Sequence, residues 1–335
     1  MPCMEAGHKA PGKAHRQGIT LVELMRMFPD DKTAEAWYVK KRWPDGITCP
    51  ACGSDNVQTG AKHKTMPFRC RERGCAQRFS AKTGTVLEGS KIGFQKWMIA
   101  AFLLTTSLKS VSSMKLHRDL GVTQKTAWFM AQRLRAAFAA EGPTVQFEGP
   151  VEVDETYIGG RRKNMARSKR RKLKGRGTVG KTAVVGIKDR VTKQVAAQVV
   201  TDTDGETLQG FVRDHVEPGA EVFTDEARAY VGLTDYEHGT VRHSVGEYVN
   251  GRIHTNGIES LWSMLKRSHK GTFHKLSPKQ LQRYVDEFGW RQNVREFDTA
   301  EQLHALVEGL EGKRLRYRDL IAPNGLPSGA RESTA

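Results

Sequence analysis

VEVDETYIGG, Val151–Gly160, is the stretch on which the reading of this chain turns. Its apolar and β-branched residues alternate with polar ones, the period of a half-buried β-strand, and Gly159-Gly160 closes it. Asp154 lies inside that strand. Period two sends Glu155 to the opposite face, so Asp154 is the acid the strand presents with its own set of neighbours.

Two further segments carry acids in comparable settings. EVFTDEARAY, Glu221–Tyr230, reads as a short strand ending at Asp225. HTNGIESLWSMLKR, His254–Arg267, reads as a helix with Ile258, Leu261, Trp262 and Leu265 as its core stripe. Asn256, Glu259, Ser263 and Lys266 form a second stripe bordering the first. Glu259 follows Asp225 by 34 residues and Lys266 follows Glu259 by seven. One acid on a central strand, one at a neighbouring strand end and one on a packed helix could converge on hard divalent cations such as Mg²⁺ or Mn²⁺, which take oxygen ligands. Such ions serve phosphoryl transfer. Asp154, Asp225 and Glu259 are therefore the candidate catalytic acids, with Lys266 as a basic partner. Asn256 shares the stripe and is the alternative third ligand. His254 reads either as a phosphate contact or as a structural histidine.

The charge balance points to the same substrate class. The 335 residues carry 54 Lys and Arg against 37 Asp and Glu, a net charge of +17. That excess favours a polyanionic partner. It is concentrated in Arg161–Lys181, with eleven Lys or Arg and no acid. Arg161, Arg162, Lys163, Lys169, Arg170, Arg171 and Lys172 lie directly after the Asp154 strand. This insert is expected to lack order without a partner and to act as a DNA-binding arm, the alternative being a solvated loop. Mean hydropathy is −0.56. No apolar run reaches the roughly 20 residues of a membrane span, and no membrane partner is expected. The first residues lack the apolar segment of a secretory signal, so the expected location is the cytoplasm, on the nucleoid when DNA is bound.

Four of the five cysteines fall between Cys49 and Cys75. Cys49-x2-Cys52 and Cys70-x4-Cys75 are turn-borne pairs, with Gly53 and Gly74 shaping the turns. Four thiolates in this arrangement suit tetrahedral Zn²⁺. The site is closed, hence structural, and its metal would supply part of the folding energy of a small module.

The intervening segments read as helices. SVSSMKLHRDLGVTQKTAWFMAQRLRAAF reads as helix, turn and helix, with Gly121 in the turn and Thr123 as N-cap. Ala127, Met130, Ala131 and Leu134 form the apolar stripe. Gln124, Lys125, Gln132, Arg133 and Arg135 lie off it. They would form either a DNA-reading face, with Lys125 and Arg133 as contacts, or the ordinary outer face of a packed helix. The expected organisation is a disordered tail at 1–17, helices at 18–45, the cysteine module at 46–85 and a helix-turn-helix-like region at 92–140. An α+β catalytic domain on a mixed sheet follows at 145–297, carrying the basic insert 161–181. A C-terminal helix and loose tail occupy 298–335.

These motifs together resemble a known family. CPAC with RCRERGCAQRFSAKTGTV, VDETYIGG, TDEARAY and HTNGIESLWSMLKRSHKGTFHKLSPKQLQRYVDEFGWRQN are similar to bacterial insertion-sequence transposases of the ISXO type. The resemblance implies a transposase zinc ribbon and a ribonuclease-H-like DDE domain. It implies Asp154, Asp225 and Glu259 as catalytic acids and Lys266 as the associated basic residue, although some relatives place Asn in the third role, which keeps Asn256 in view. The implied reaction is Mg²⁺-dependent cleavage at an element's ends followed by strand transfer. The implied partners are terminal inverted repeats, target DNA and further copies of the chain in a synaptic complex. A related metal-dependent nuclease or resolvase, and a non-catalytic zinc-ribbon DNA-binding regulator, are the alternatives.

Overall fold

The computed structural model describes residues 18–139, 146–175, 177–241 and 253–328. The chain divides into two compact units, Met1–Ala139 with Val294–Ala322, and Ala140–Asn293 with Pro323–Ala335.

The first unit begins with α1, Leu21–Met27, and α2, Asp31–Arg42. Thr20 and Glu23 cap α1 reciprocally, and Asp30 accepts from the Thr33 amide at the start of α2. A small antiparallel sheet follows, made of β1 (Val57–Gln58), β2 (Phe68–Cys70) and β3 (Arg78–Phe79). Trp43, Phe68 and Phe79 stack edge-on or tilted against one another as its core. α3, Phe94–Thr106, is buried on most sides through Trp97, Met98, Ala101 and Leu104. α4 (Ser113–Leu120) and α5 (Gln124–Phe138) are joined by a turn in which Gly121 takes φ +59°, a left-handed conformation that glycine adopts freely.

The second unit is built on a five-stranded sheet. β4 is Val151–Ile158; a six-residue helix, α6 (Arg167–Lys172), lies in the basic insert; then come β5 (Thr182–Asp189) and β6 (Val195–Val200). α7 (Gly205–His215), β7 (Glu221–Asp225), β8 (Glu237–Val241), α8 (Asn256–Ser268) and α9 (Leu281–Asn293) complete it. The strand order is β6-β5-β4-β7-β8. β4, β5 and β6 are antiparallel neighbours, whereas β4–β7 and β7–β8 are parallel. The sheet is therefore mixed, with β4 at its centre.

Strand alternation divides the core into two layers. Val151 and Val153 of β4 join Leu208, Phe211 and Val212 of α7. On the other face, Ile158 and Val184 join Ile258, Leu261, Trp262 and Leu265 of α8, and Leu281, Tyr284, Val285 and Phe288 of α9. The stripe read from the sequence of α8 is thus its buried face.

The chain then returns to the first unit. α10, Thr299–Glu308, buries Leu303, Leu306 and Val307 against α2, α3 and α5. The Leu310 carbonyl accepts from the Val86 amide, and α11, Tyr317–Ile321, ends the helices.

Two expectations are corrected, and one element is added. The basic insert folds on itself: the Arg162 guanidinium donates to the carbonyls of Leu173 and Gly175, and Leu173 and Met165 pack around Gly180. A charged segment can order when a few apolar side chains and one clip close it locally. The second half of the outer face of α5 is covered: Gln132, Arg133 and Arg135 are buried, because the chain near Leu315 and Ser110 lies over them, whereas Gln124 and Lys125 at its start are exposed. A strand in Glu237–Val241 has no signal in the sequence pattern, and residues 242–252 after it lie outside the described residues.

Candidate active site and metal centre

Asp154 lies near the middle of β4, on the face covered by α8, in register with Gly186 of β5. A Cβ at Gly186 would stand 2.7 Å from the Trp262 ring. The bare backbone there lets α8 approach the sheet closely and brings Glu259 toward Asp154. Asp225 ends β7, the parallel neighbour of β4, and its side chain accepts from the Ala227 amide at 3.0 Å. Burial, then the charges of Glu155, Asp225 and Glu259, push the Asp154 carboxyl up to about 8. The structure thus gathers these acids from two strands and a helix into one electrostatic neighbourhood. Glu259 keeps its carboxylate exposed and receives the Thr255 hydroxyl at 3.3 Å. Asn256 opens the same helix one turn earlier.

Glu155 is more involved than its opposite-face position suggested. Burial raises its pKa, as does Asp225, while the Tyr230 hydroxyl, donating at 2.9 Å, opposes the shift. The adjacent Asp-Glu pair was the available sequence signal. His254 turns into the protein: its Nδ1 lies 2.9 Å from Arg190 Nη2 and 3.2 Å from Glu152 Oε1. Glu152 has no sequence signal, because a lone Glu in a strand carries no motif.

A cavity of about 530 Å³ opens at the C-terminal end of β4, lined by Glu155 and Thr156, by Arg161 and Lys181 of the insert, and by Lys266 and Lys270; Asp154, Asp225 and Glu259 are not part of its lining. Lys266 is exposed on the last turns of α8. Beyond Ser268 the helix widens into a π-helical turn, His269–Phe273. Arg161, Lys163, Arg170 and Arg171 are exposed; the side chains of Lys169 and Lys172 lie outside the described residues. Arg162 is engaged within the insert. In the first unit, Lys125 rests its ammonium 4.7 Å from the Tyr317 ring. Arg133, expected as a DNA contact, instead donates from Nε to the Leu315 carbonyl at 3.1 Å and stacks on Phe129.

The four thiols form the second centre. Sγ of Cys49, Cys52, Cys70 and Cys75 all lie within 4.8 Å of one another, the one group of its kind among the described residues. Cys49–Cys75 and Cys52–Cys70 are separated by 3.7 and 3.6 Å. A tetrahedron with metal–sulfur bonds of ~2.3 Å has edges of roughly 3.8 Å, so a zinc-sized ion fits. Burial would raise the Cys49 pKa, but the Ala51 and Cys52 amides and the neighbouring thiols outweigh it and lower it to about 7, while the same crowding of sulfurs pushes Cys52 and Cys70 up. Amides donating to sulfur favour the thiolate that a metal needs. Gly53 at φ +74° and Gly74 at φ +88° make the two turns.

Residues 146–293 match the family model of the ISXO2-like transposase domain. The chain is 30% identical over 304 residues to a Halobacterium salinarum protein described as an "uncharacterized protein in transposable element ISH50", covering 85% of this chain and 98% of that one. It is also 29% identical over 119 residues to an "uncharacterized transposase-like protein" of Haemophilus influenzae, covering 35% of this chain and 95% of that one. The chain belongs to the ISXO2-like transposases.

Proposed function

We propose that the protein is a DDE transposase whose sheet is a ribonuclease-H-like catalytic core, with Asp154, Asp225 and Glu259 as its acids. The observation that carries this is the coupling of Asp154 to acids from β4, β7 and α8 at the centre of the mixed sheet. Glu259 is preferred to Asn256 because its charge is among those that raise Asp154.

The three carboxylates would hold Mg²⁺ or Mn²⁺, hard cations suited to oxygen donors. The bound ion supplies Lewis acidity at the scissile phosphate and relieves the repulsion among the acids. The protein's part is orientation. The acids fix where the phosphodiester is held, and Lys266 on the same helix offers a cation to a flanking phosphate. Water attacks phosphorus in line and a 3′-hydroxyl leaves at the element's end. That hydroxyl then attacks a target phosphodiester in the same sense. Neither step needs a covalent protein intermediate, so positioning and charge stabilisation carry catalysis.

Zn²⁺ at the four thiols would be structural, and the ribbon with the helix-turn-helix-like region would read the terminal inverted repeats. Exposed cations of the insert would track the DNA backbone. Joining two ends requires two active sites, hence a multimer of this chain on DNA. Asp154→Asn tests the assignment: cleavage of a duplex bearing the terminal repeat is lost while binding to that duplex persists. Mg²⁺-dependent cleavage by the variant would refute it. Strand transfer from pre-cut ends separates a transposase from a nuclease that only cuts.

A further inference from the structure

The N-terminus of α8 is not capped in the usual way. Thr255 is its N-cap residue, yet its hydroxyl makes no bond to the first-turn amides. It donates instead to Glu259 Oε1 at 3.3 Å. A first-turn amide is served from another element: Glu152 Oε2, on β4, accepts from the Ile258 amide at 3.0 Å. Gly257 makes the approach feasible, since a Cβ there would stand 2.6 Å from that oxygen.

Glu152 is itself held firmly. It is 2% exposed, and a buried carboxylate is tolerated only when its oxygens are paired. Arg190 Nε donates to Oε1 at 2.8 Å, and its guanidinium stacks 4.3 Å over the Phe223 ring of β7. Arg190 Nη2 also meets His254 Nδ1 and the His254 carbonyl, just ahead of the helix. Lys188 of β5 donates to the Gly257 carbonyl at 3.2 Å. The clamp therefore ties β4, β5, β7 and the entry of α8 together. Glu152 shares the strand face of Asp154, two residues away, and the amide it grips immediately precedes Glu259.

We infer that Glu152 is a positioning residue: by taking over the capping of α8 it fixes the helix against β4 and frees Thr255 to orient Glu259 toward Asp154. This rests on the reading of Asp154, Asp225 and Glu259 as metal ligands. Groups that orient metal ligands typically change metal affinity by about 10–100-fold when removed.

The test uses the full-length, zinc-loaded chain and Glu152→Gln. The amide oxygen can still accept from Ile258, but its NH₂ faces the donors of Arg190 and breaks the clamp. Mn²⁺ binding is measured directly by electron paramagnetic resonance. Binding of terminal-repeat DNA without divalent metal and the melting temperature are measured alongside. The expected result is Mn²⁺ affinity weakened about tenfold or more, with DNA binding unchanged, and Arg190→Lys intermediate. Wild-type Mn²⁺ affinity in Glu152→Gln overturns the inference, as does a fall in melting temperature and DNA binding with no change in Mn²⁺ affinity. If Glu152→Gln fails to fold, Thr255→Val carries the test, and undiminished Mn²⁺ binding there overturns it. Asp154→Asn is the control: if it binds Mn²⁺ like the wild type, the active-site reading has failed, and not only the role of Glu152.

Discussion

Trp262 lies over Gly186, with its ring 2.7 Å from where a side chain at 186 would begin. Gly186 is in turn the register partner of Asp154. The closeness of α8 to the sheet, and so of Glu259 to Asp154, depends on this missing side chain. Gly186→Ala overpacks the interface and should cost about 1–3 kcal/mol in denaturant unfolding. Cleavage should fall further than stability accounts for, because the helix carrying Glu259 is lifted. Wild-type cleavage in a folded Gly186→Ala protein would show that the approach of α8 is immaterial.

The raised pKa of Asp154 has a defined sign. Its folded value, about 8, lies above its ordinary value of 3.8. The protonated acid is favoured in the fold, so this contribution to stability is present at low pH and is lost as pH rises from about 4 to about 8. In zinc-loaded protein without added divalent cation, melting temperature should decline across that window, and Mg²⁺ should raise it more at pH 8.5 than at pH 5.5. Asp154→Asn should flatten both dependences. Scanning calorimetry at fixed zinc occupancy checks this, and an equal slope in the variant would assign the titration elsewhere.

Cys52→Ser should reduce bound zinc from one ion per chain to near zero by atomic absorption. The ribbon has only Trp43, Phe68 and Phe79 as an aromatic core, so loss of the metal should destabilise it by roughly 4 kcal/mol or more. The β4–β8 sheet should keep its hydrogen-exchange protection.

Arginines of similar sequence character should behave differently on DNA. Arg161→Ala and Arg170→Ala remove exposed cations. For each cation that neutralises a phosphate in the wild type, its removal should lower the slope of log affinity against log salt by about 0.9. Arg133→Ala should leave that slope unchanged but lower stability, since it empties a buried site facing the Leu315 carbonyl. A reduced salt slope for Arg133→Ala would return that residue to the DNA surface.

Local periodicity made much of the second unit legible. β4 coincides with VEVDETYI, and the α8 stripe of Ile258, Leu261, Trp262 and Leu265 is its buried face. β8 was hidden because Glu237–Val241 has no apolar alternation; among the described residues it is an edge strand paired with β7 alone. The covered face of α5 was hidden for a different reason. The carbonyl that receives Arg133 is 182 residues away in sequence, and no local pattern reports such a partner. The grip of Glu152 on the Ile258 amide spans 106 residues and was illegible on the same grounds. The cysteines were legible because metal geometry constrains spacing directly. The acids were legible as a set only through three separate segments read together.

The first unit is interrupted by the second, since its core is completed by α10 and by the segment through Ala322. That connectivity imposes an order on synthesis. The five-stranded sheet emerges from the ribosome with β4 to β8 all in hand, while the first unit still lacks the helix that covers α2, α3 and α5. A nascent chain therefore holds a folded sheet before it holds a finished ribbon-and-helix unit. Truncation after Ala139 should accordingly yield an open, aggregation-prone fragment rather than a free-standing module.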